Sequence, residues 1–408
     1  MTLGTAALLG TGACGSSGTG PSPSPTATTE EPTKAPPPSD VPIEGASAEE
    51  LKIFTRGDML FDLPMREADG LGPLFTEDHC SACHEGAIRG PGLVQKMAIV
   101  EADGFTPAVD QSALPNGHTV HPRTAAGATK PIAIPSDLPS LKVSTRMGPA
   151  VLGRGYMEAV DDAEILKQEQ LQASRDDGIR GRVHHVVYAS EPNTDTRFHT
   201  HKRGDTLIGR FGFKARVGTL DDFTADAFQG DMGITSPLRP SEFENPEKLM
   251  DDRKPGIDVD YDSINLRTNY VRLLAIPKRV ATDGANLFAT ARCNVCHTPS
   301  LRTRSNYPIK ALANIDAPIY SDLLLHDMGE KLADGIKDGD AGSREWRSAP
   351  LIGMRYQKNF MHDGRATTIR GAILSHEGPG SQANDSVSRF LALPAADQTK
   401  LEAFVGSL

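Results

Sequence analysis

Two copies of the motif Cys-x-x-Cys-His stand far apart in the chain, in HCSACHEG (79–86) and RCNVCHTP (292–299). A Cys-x-x-Cys pair followed directly by His is the attachment motif of haem c, in which both thiols bond to the haem and the histidine ligates the iron. A structural zinc site needs four ligands, and neither copy has a second Cys or His pair close by in sequence. The predicted attachment and ligand residues are Cys80, Cys83 and His84 for the first haem, and Cys293, Cys296 and His297 for the second.

Composition limits the kind of protein that carries these motifs. The chain has 408 residues, enough for two domains, and its net charge of -10 argues against nucleic-acid binding. It contains five cysteines, four of which belong to the two motifs. Because only Cys14 remains, the sequence predicts no disulfide framework. Haem c is attached outside the cytoplasm in bacteria, so the motifs also predict an exported protein.

The first 45 residues predict a leader and a tether. Residues 1–14 contain TLGTAALLGTGAC, a short apolar run that resembles the end of a lipoprotein signal peptide, with Cys14 as the lipidated residue. No Lys or Arg precedes this run, so a stray cysteine in a tail is the alternative. Residues 15–45 are rich in Pro, Ser, Thr and Gly and predict a disordered linker. We therefore expect a periplasmic or cell-surface protein, held to a membrane by a lipid.

Helical patterns accompany both motifs and divide the rest of the chain in two. Ser47 and Glu50 form a capping-box pattern at the start of a first helix. Leu-Phe pairs in GLGPLFTEDHCSACH and DGANLFATARCNVCH lead into the motifs, and each resembles the first helix of a class I cytochrome c. DSINLRTNYVRLLAIPKR and LPAADQTKLEAFVGSL have helical periodicity and predict a closing helix for each unit. We predict a mainly α fold of two class I cytochrome c-like domains, 46–280 with long loop insertions and 281–408.

A second similarity links the two halves. RMGPAVLGRGYMEA begins at Arg146 and RSAPLIGMRYQKNFMHDG begins at Arg347, and both contain Arg-x-x-Pro, apolar residues, a glycine and an aromatic–Met pair. Glu158 follows that pair in the first half and His362 follows it in the second. If the two stretches are a decayed internal repeat, these two side chains occupy equivalent places beside their own haems.

The chain resembles a known superfamily. Its tandem cytochrome pattern, with NFMHDGRATTIRGAILSHEG near the C-terminus, is similar to the bacterial dihaem cytochrome c peroxidase and MauG-type proteins. The resemblance is to the di-haem oxidoreductase branch, spans about 47–408, and is carried by RFGFKA (210–215), DMGITSP (231–237), LLLHDMG (323–329), EWRSAPLIGMR (345–355) and FMHDGRA (360–366). It implies one haem with a protein ligand on both faces, and one with an open or displaceable face where peroxide binds.

The resemblance also implies distal groups. His376, in AILSHEG, lies where the superfamily has the distal ligand of the C-terminal haem, and we expect it to ligate the second iron. Met354 and Met361 are the alternatives. For the first haem we expect no strong ligand or a labile one. Peroxide chemistry needs an acid–base group there, for which Glu158 is our candidate and Glu164 the alternative.

Other histidines and an arginine complete the expected sites. His362 and Arg365, in HDGR, are expected beside the second haem, because an arginine suits the carboxylate of a haem propionate. His199 and His201, in FHTHKR, are an alternative pair of ligands that would close the first site, although an exposed loop pair is more often solvated.

These residues predict a peroxidase-like oxidoreductase that reduces peroxide at the N-terminal haem. Electrons would come from a small periplasmic redox protein through the C-terminal haem. The alternatives are a dihaem electron-transfer cytochrome without catalysis, and a MauG-type oxidase of an organic or protein substrate. The name "thiol oxidoreductase", also used for this branch, has no support because no cysteine remains for a dithiol centre. A calcium ion between the domains would fit the wider superfamily.

Overall fold

The computed structural model describes residues 41–249, 256–280 and 282–408. Cys14 and most of the predicted linker lie outside these residues. Within the described residues there are ten α-helices, joined by long loops. They are α1 (Ala48–Phe61), α2 (Cys80–Cys83), α3 (Arg154–Ala159), α4 (Asp162–Ala173), α5 (Leu220–Met232), α6 (Tyr261–Leu273), α7 (Ala285–Thr290), α8 (Ile369–Ser375), α9 (Asn384–Ala392) and α10 (Ala395–Ser407).

Short strands interrupt the loops and pair into five antiparallel two-stranded sheets. The longest, between β2 and β4, pairs Leu93 with Met147 at one end and Ile99 with Leu141 at the other. The fold therefore combines helices with short strand pairs. The predicted mainly α fold is confirmed only in part. The pairs are β1 (Leu74–Phe75) with β3 (Arg123–Thr124), β2 (Leu93–Ile99) with β4 (Leu141–Met147), β5 (His185–Val187) with β6 (Thr206–Ile208), β7 (Leu301–Arg302) with β8 (Asp316–Ala317), and β9 (Leu325–Asp327) with β10 (Glu345–Arg347).

Helices α1 and α6 form a packed pair behind the first motif. The side chain of Ser47 accepts a hydrogen bond from the Glu50 backbone and the Glu50 side chain accepts one from the Ser47 backbone, which completes the predicted capping box. Gly57 allows close approach, because a Cβ there would overlap α6 backbone and side-chain atoms. The Phe61 ring lies 5.1 Å from the Tyr270 ring and 6.3 Å from the His84 ring. This pair therefore supports the first predicted iron ligand.

Helices α7 and α10 form the corresponding pair behind the second motif. Phe288 of α7 packs against Phe404 of α10, with ring centroids 5.4 Å apart and ring planes inclined at 57°. Both belong to a hydrophobic cluster that also contains Leu401 and Phe360. The two predicted closing helices are thus present as α6 and α10, and α7 is the predicted helix that leads into the second motif.

The lead-in to the first motif differs from its prediction. Leu74 and Phe75 form strand β1, which pairs with Thr124 and Arg123, rather than a helix. Pro73, just before them, lacks the backbone N–H that a helix interior requires, and both strand residues are buried. The similarity of the two lead-ins therefore reflects two buried apolar residues, and the secondary structure around them differs.

The Arg-x-x-Pro stretches adopt similar local structures. Each begins at a strand, β4 or β10, and reaches a glycine with positive φ, 68° at Gly153 and 65° at Gly353, which starts a helical turn. Glycine is the residue that takes this conformation without strain. The largest hydrophobic cluster contains Phe61 and Tyr270 together with Leu312 and Ile352, so the two predicted halves share a core.

The described part of the chain begins before the predicted boundary at residue 46. Ile43 is 2% exposed, and its N–H donates to the carbonyl of Leu273 at 2.8 Å. Residues 41–45 therefore pack against the end of α6 although their composition is that of the linker. Among the helices that the structure describes, none combines the length and the apolar character of a membrane span.

Candidate functional site

The first Cys-x-x-Cys-His motif lies on the wall of a cavity of about 510 Å³. Cys80 and Cys83 begin and end α2, and burial raises the pKa of their thiols to about 11 and about 12. The Nδ1 atom of His84 lies 2.7 Å from the carbonyl oxygen of Pro149, and burial lowers the pKa of this imidazole to about 4. The ring is therefore neutral, with Nδ1–H donating to the carbonyl and Nε2 available for a metal, as in metal-binding histidines generally.

The second motif lines a separate cavity of about 240 Å³. The Nδ1 atom of His297 lies 3.2 Å from the carbonyl oxygen of Tyr320. Burial and the neighbouring His376 lower the pKa of His297 to about 4. Both predicted proximal histidines thus have a backbone carbonyl beside Nδ1, and His297 makes a further hydrogen bond with the backbone of Ala349.

His376 faces His297 across the second cavity. Its Nδ1 lies 2.7 Å from the carbonyl oxygen of Ala372 in α8, and burial lowers its pKa. The two rings are 6.4 Å apart between centroids and inclined at 70°. Two imidazoles that share one metal ion at metal–nitrogen bonds of about 2.0–2.1 Å place their centroids roughly 6 Å apart. The geometry therefore suits two axial ligands of one iron.

The two methionines that rival His376 also reach this cavity. Met354 and Met361 are both on its wall. Met354 belongs to the cluster that contains Phe360, and Met361 packs against that cluster, so both have a packing role that needs no metal. The free Nε2 of His376 gives the histidine the more specific geometry, and its role as ligand stays a prediction.

Glu158 lies away from both cavity walls. Its carboxylate is fully used: Arg272 Nε donates to Oε2 at 2.6 Å and Tyr307 donates to the same oxygen at 2.8 Å, while Leu220 N–H donates to Oε1 at 2.8 Å. Burial alone would raise its pKa, but Arg272 holds that pKa below its usual range. This geometry does not support the acid–base role expected from the internal repeat.

Three further predicted groups also lie outside the cavities. Arg365 binds the carboxylate of Asp363, its neighbour in sequence, at 2.7 Å. The Nε2 atom of His199 lies 2.9 Å from each carboxylate oxygen of Asp221, and the His199 ring stacks on the ring of His201. Neither histidine is on the wall of the first cavity, so the alternative in which they close that site has no geometric support. Glu164 pairs with Lys167 on α4, also remote from both cavities.

His362 is on the wall of the second cavity, as expected, and stacks on Trp346. The two rings are parallel within 14° and 3.9 Å apart between centroids. The ammonium group of Lys214 lies 4.0 Å from the indole centroid on the same tryptophan. Burial lowers the pKa of His362 to about 4, so the stack consists of a neutral imidazole, an indole and a cation.

Three arginines without a carboxylate partner bear on whether these cavities suit a haem. Arg89, Arg154 and Arg347 line the second cavity, and none has a carboxylate within ion-pair distance among residues 41–249, 256–280 and 282–408. Burial lowers their pKa values to about 10, about 9 and about 10. The Nε atom of Arg89 is buried without a partner among the same residues. Arg154 is buried and Arg89 and Arg347 are half-buried, and cations without a contacting anion in such surroundings are costly. The propionates of a haem would supply the missing anions. The residues present therefore fit the group that the motifs predict.

Two other groups on the first cavity were missed by sequence reasoning. Asp231, at the end of α5, makes no side-chain hydrogen bond to any described residue, and burial together with Asp226 raises its pKa to about 6. His118 is on the loop at the mouth of the same cavity, with its Nδ1 2.9 Å from the carbonyl of Met97. No local sequence signal marks either residue, because the walls come from segments far apart in the chain.

No three Asp or Glu carboxylates come together as metal ligands in the part of the chain that the structure describes. Within residues 41–249, 256–280 and 282–408, one group of His, Cys, Asp and Glu brings its donor atoms within 4.8 Å of one another, formed by Cys296, Asp322 and His326. Its sulfur and nitrogen donors do not suit calcium, which takes oxygen ligands. His326 Nε2 lies 2.9 Å from Asp322, and its Nδ1 is 3.6 Å from the Cys296 sulfur, so the pair packs beside the second motif. The calcium site stays a prediction.

Two cavities, each with a Cys-x-x-Cys-His motif whose histidine has a backbone carbonyl beside Nδ1, are the arrangement expected of a protein with two haem sites. The chain belongs to the family described as "Di-haem oxidoreductase, putative peroxidase", whose model matches residues 134–408. The match begins after the first motif and is thus shorter than the resemblance predicted from sequence. Haem is therefore the cofactor of the family to which this chain belongs.

One solved structure gives a distant comparison. It is the hydrazine synthase of Kuenenia stuttgartiensis pressurized with 20 bar xenon, which is 13% identical over 95% of this chain and 99% of that chain, with a TM-score of 0.38. Similarity at this level carries no argument about function. No curated protein matches the chain.

Proposed function

We propose that the protein is a dihaem c-type peroxidase that reduces hydrogen peroxide to water at the N-terminal haem. Two electrons would come from a small redox protein and pass through the C-terminal haem. The observation that carries this proposal is the difference between the cavities. The second has two imidazoles at the separation of axial ligands, whereas the first is more than twice as large, about 510 Å³ against about 240 Å³.

Covalent attachment and cytochrome c-like domains are part of the proposal. The four motif cysteines are free of disulfides, and each pair lies beside its own cavity. The helix pairs α1/α6 and α7/α10 each pack behind one motif, which supports two cytochrome c-like units at 46–280 and 281–408. Attachment of haem c outside the cytoplasm would place the protein in the periplasm or at the cell surface, tethered through a lipid on Cys14.

The second site is proposed as the electron relay. A haem with both axial positions filled exchanges electrons but does not bind peroxide. His297 and His376 would hold this haem, because the carbonyls of Tyr320 and Ala372 lie beside their Nδ1 atoms and the two rings face each other 6.4 Å apart between centroids.

Asp231 is proposed as the acid–base residue of the first site, in place of Glu158. Reduction of hydrogen peroxide to two water molecules takes up two electrons and two protons, and a haem held by His84, Cys80 and Cys83 would supply the redox chemistry. The Asp231 carboxylate would accept the proton of one peroxide oxygen and return it to the other, which leaves as water. A pKa of about 6 suits a group that must both take and give a proton near neutral pH.

A second function is favoured by one observation. His118 has a free Nε2 on the loop that lines the mouth of the first cavity. If it ligates the first iron permanently, both haems are closed and the protein is an electron-transfer cytochrome. If it ligates the iron reversibly, the site opens for peroxide.

Electron paramagnetic resonance of the oxidised and half-reduced holoprotein tests the proposal. We expect one low-spin haem in all states and a second haem that is high-spin, or becomes so on half-reduction, and that reacts with peroxide. Two haems that stay low-spin, with spectra unchanged by peroxide, would refute catalysis and support the relay cytochrome. His118→Ala is the informative variant in that case, since it should open the first site if this residue closes it.

A further inference from the structure

The two cavities share part of one wall. Four residues line both of them, namely Pro149, Ala150, Arg154 and Phe213. Arg154 is the one charged residue of the four. It stands at the start of α3, just after Gly153, whose positive φ turns the chain toward the helix. The shared wall therefore presents a single guanidinium group to both predicted haem sites.

Arg154 lacks an anionic partner in the part of the chain that the structure describes. It is 8% exposed, and its guanidinium donates to the carbonyl oxygens of Ala150 and Leu152 and to the sulfur of Met157. A second arginine, Arg347, is close enough to lower the pKa of Arg154 further. A buried guanidinium with a second cation nearby and no carboxylate in contact is unfavourable, so an anion is expected to complete this arrangement.

The chemistry of the guanidinium group allows it to serve two anions. An arginine has five N–H donors in a planar fork and stays charged at ordinary pH. Three of the donors of Arg154 face Ala150, Leu152 and Met157, which leaves two N–H groups, one for each of two carboxylates. Each predicted haem carries two propionates. A lysine, as a point charge with no fork, would bind such a pair less well.

We propose that Arg154 bridges the two haems by binding one propionate of each. Its positive charge, on the wall that both cavities share, would favour the reduced form of both haems. Arg89 and Arg347 line only the second cavity, so their charges act mainly on the second haem. This inference rests on the proposed presence of two haem c groups.

Spectroelectrochemical titration of the holoprotein tests this bridge. Arg154→Gln removes one positive charge near both haems, so we expect both reduction equilibria to shift about tenfold toward the oxidised form, that is about 59 mV for each one-electron couple. Arg347→Gln is the matched control, since it should shift the second haem alone. Arg154→Lys keeps the charge but not the fork, and should shift both potentials by less than Arg154→Gln.

The outcomes separate the bridge from the proposed function. If Arg154→Gln shifts one haem or neither, the bridge is refuted. If Arg154→Gln does not fold, Arg154→Lys decides: a shift in both potentials supports the bridge, and a shift in one potential or in neither refutes it. Mass and pyridine haemochrome content of the wild-type protein are measured first. Fewer than two covalent haems would refute the proposed function, whereas two haems without the double shift would refute this inference alone.

Discussion

Replacing Glu158 with Gln distinguishes a structural role from a catalytic one. Glu158 is 5% exposed and Arg272 is 1% exposed, and their contact is bidentate, at 2.6 and 3.1 Å. The substitution keeps the shape of the side chain and removes its charge. Arg272 is then left as a buried cation without its partner, which is the costly outcome for a buried ion pair.

The expected loss of stability follows from that environment. Breaking a buried pair by removing one partner costs about 3–5 kcal/mol, and we expect the lower end because the amide retains a contact with Tyr307. The measurement is urea unfolding of the holoprotein followed by far-UV circular dichroism. Glu164→Gln is the matched control: its pair with Lys167 is solvent-accessible, so its loss should cost less than about 1 kcal/mol. Peroxide turnover per folded molecule should be unchanged in both variants.

The pH dependence has a definite sign. The folded-state pKa of Glu158 lies below its usual value, since Arg272 outweighs the effect of burial. The ion pair therefore contributes its full stability above the unfolded-state pKa and loses it as the pH falls through the folded-state pKa. The difference between wild type and Glu158→Gln should narrow in acid. A variant that unfolds like wild type but turns over peroxide 10²–10⁴-fold more slowly, on the order of a lost acid–base catalyst, would refute this reasoning.

Three further substitutions test the two sites. His376→Ala should convert one low-spin haem to high-spin in electron paramagnetic resonance, whereas Met354→Leu should not; the reverse result would make the methionine the ligand. Asp231→Asn should slow peroxide turnover by about 10²–10⁴-fold and remove a rise in kcat/KM as the pH increases through about 6, while Glu244→Gln, on the same cavity wall, should do neither. Trp346→Phe should leave inter-haem electron transfer unchanged in stopped-flow reduction, because a lysine ammonium 4.0 Å from its ring disfavours oxidation of the indole; a loss of more than tenfold would show that it is a relay.

The sequence predicted the helices whose start is marked by a capping motif or whose buried face is marked by apolar periodicity. The capping box of Ser47 and Glu50 begins α1, and the apolar periodicity of the closing segments appears as α6 and α10. The paired segment β2–β4 was not predicted, because its strands are about 40 residues apart in sequence and their register depends on tertiary contacts. Leu74 and Phe75 were misassigned for the same reason, since their partners in β3 lie beyond local reach.

The residues of the candidate sites also fall into those that the sequence predicts and those that it does not. The two motifs placed their six residues on two cavities, because attachment and ligation depend on a local spacing. The arginines without carboxylates could not be recognised, since nothing in a sequence distinguishes Arg154, which lacks an ion pair among the described residues, from Arg272, which has one. That difference arises only when the folded chain brings Glu158 to one guanidinium and not to the other.

The two Arg-x-x-Pro stretches have similar local structures at first and then diverge. Gly153 and Gly353 each start a helical turn with a similar positive φ, and the first of these stretches contacts a proximal histidine, since Pro149 accepts a hydrogen bond from His84. After those glycines the structures diverge. In the first half, α3 directs Glu158 into an ion pair with α6, so this side chain does not reach the first haem site. In the second half the chain continues to α8, which brings His376 opposite His297. Divergence of the chain after a similar turn thus places a histidine on the wall of the second cavity and leaves Glu158 away from the first, larger cavity.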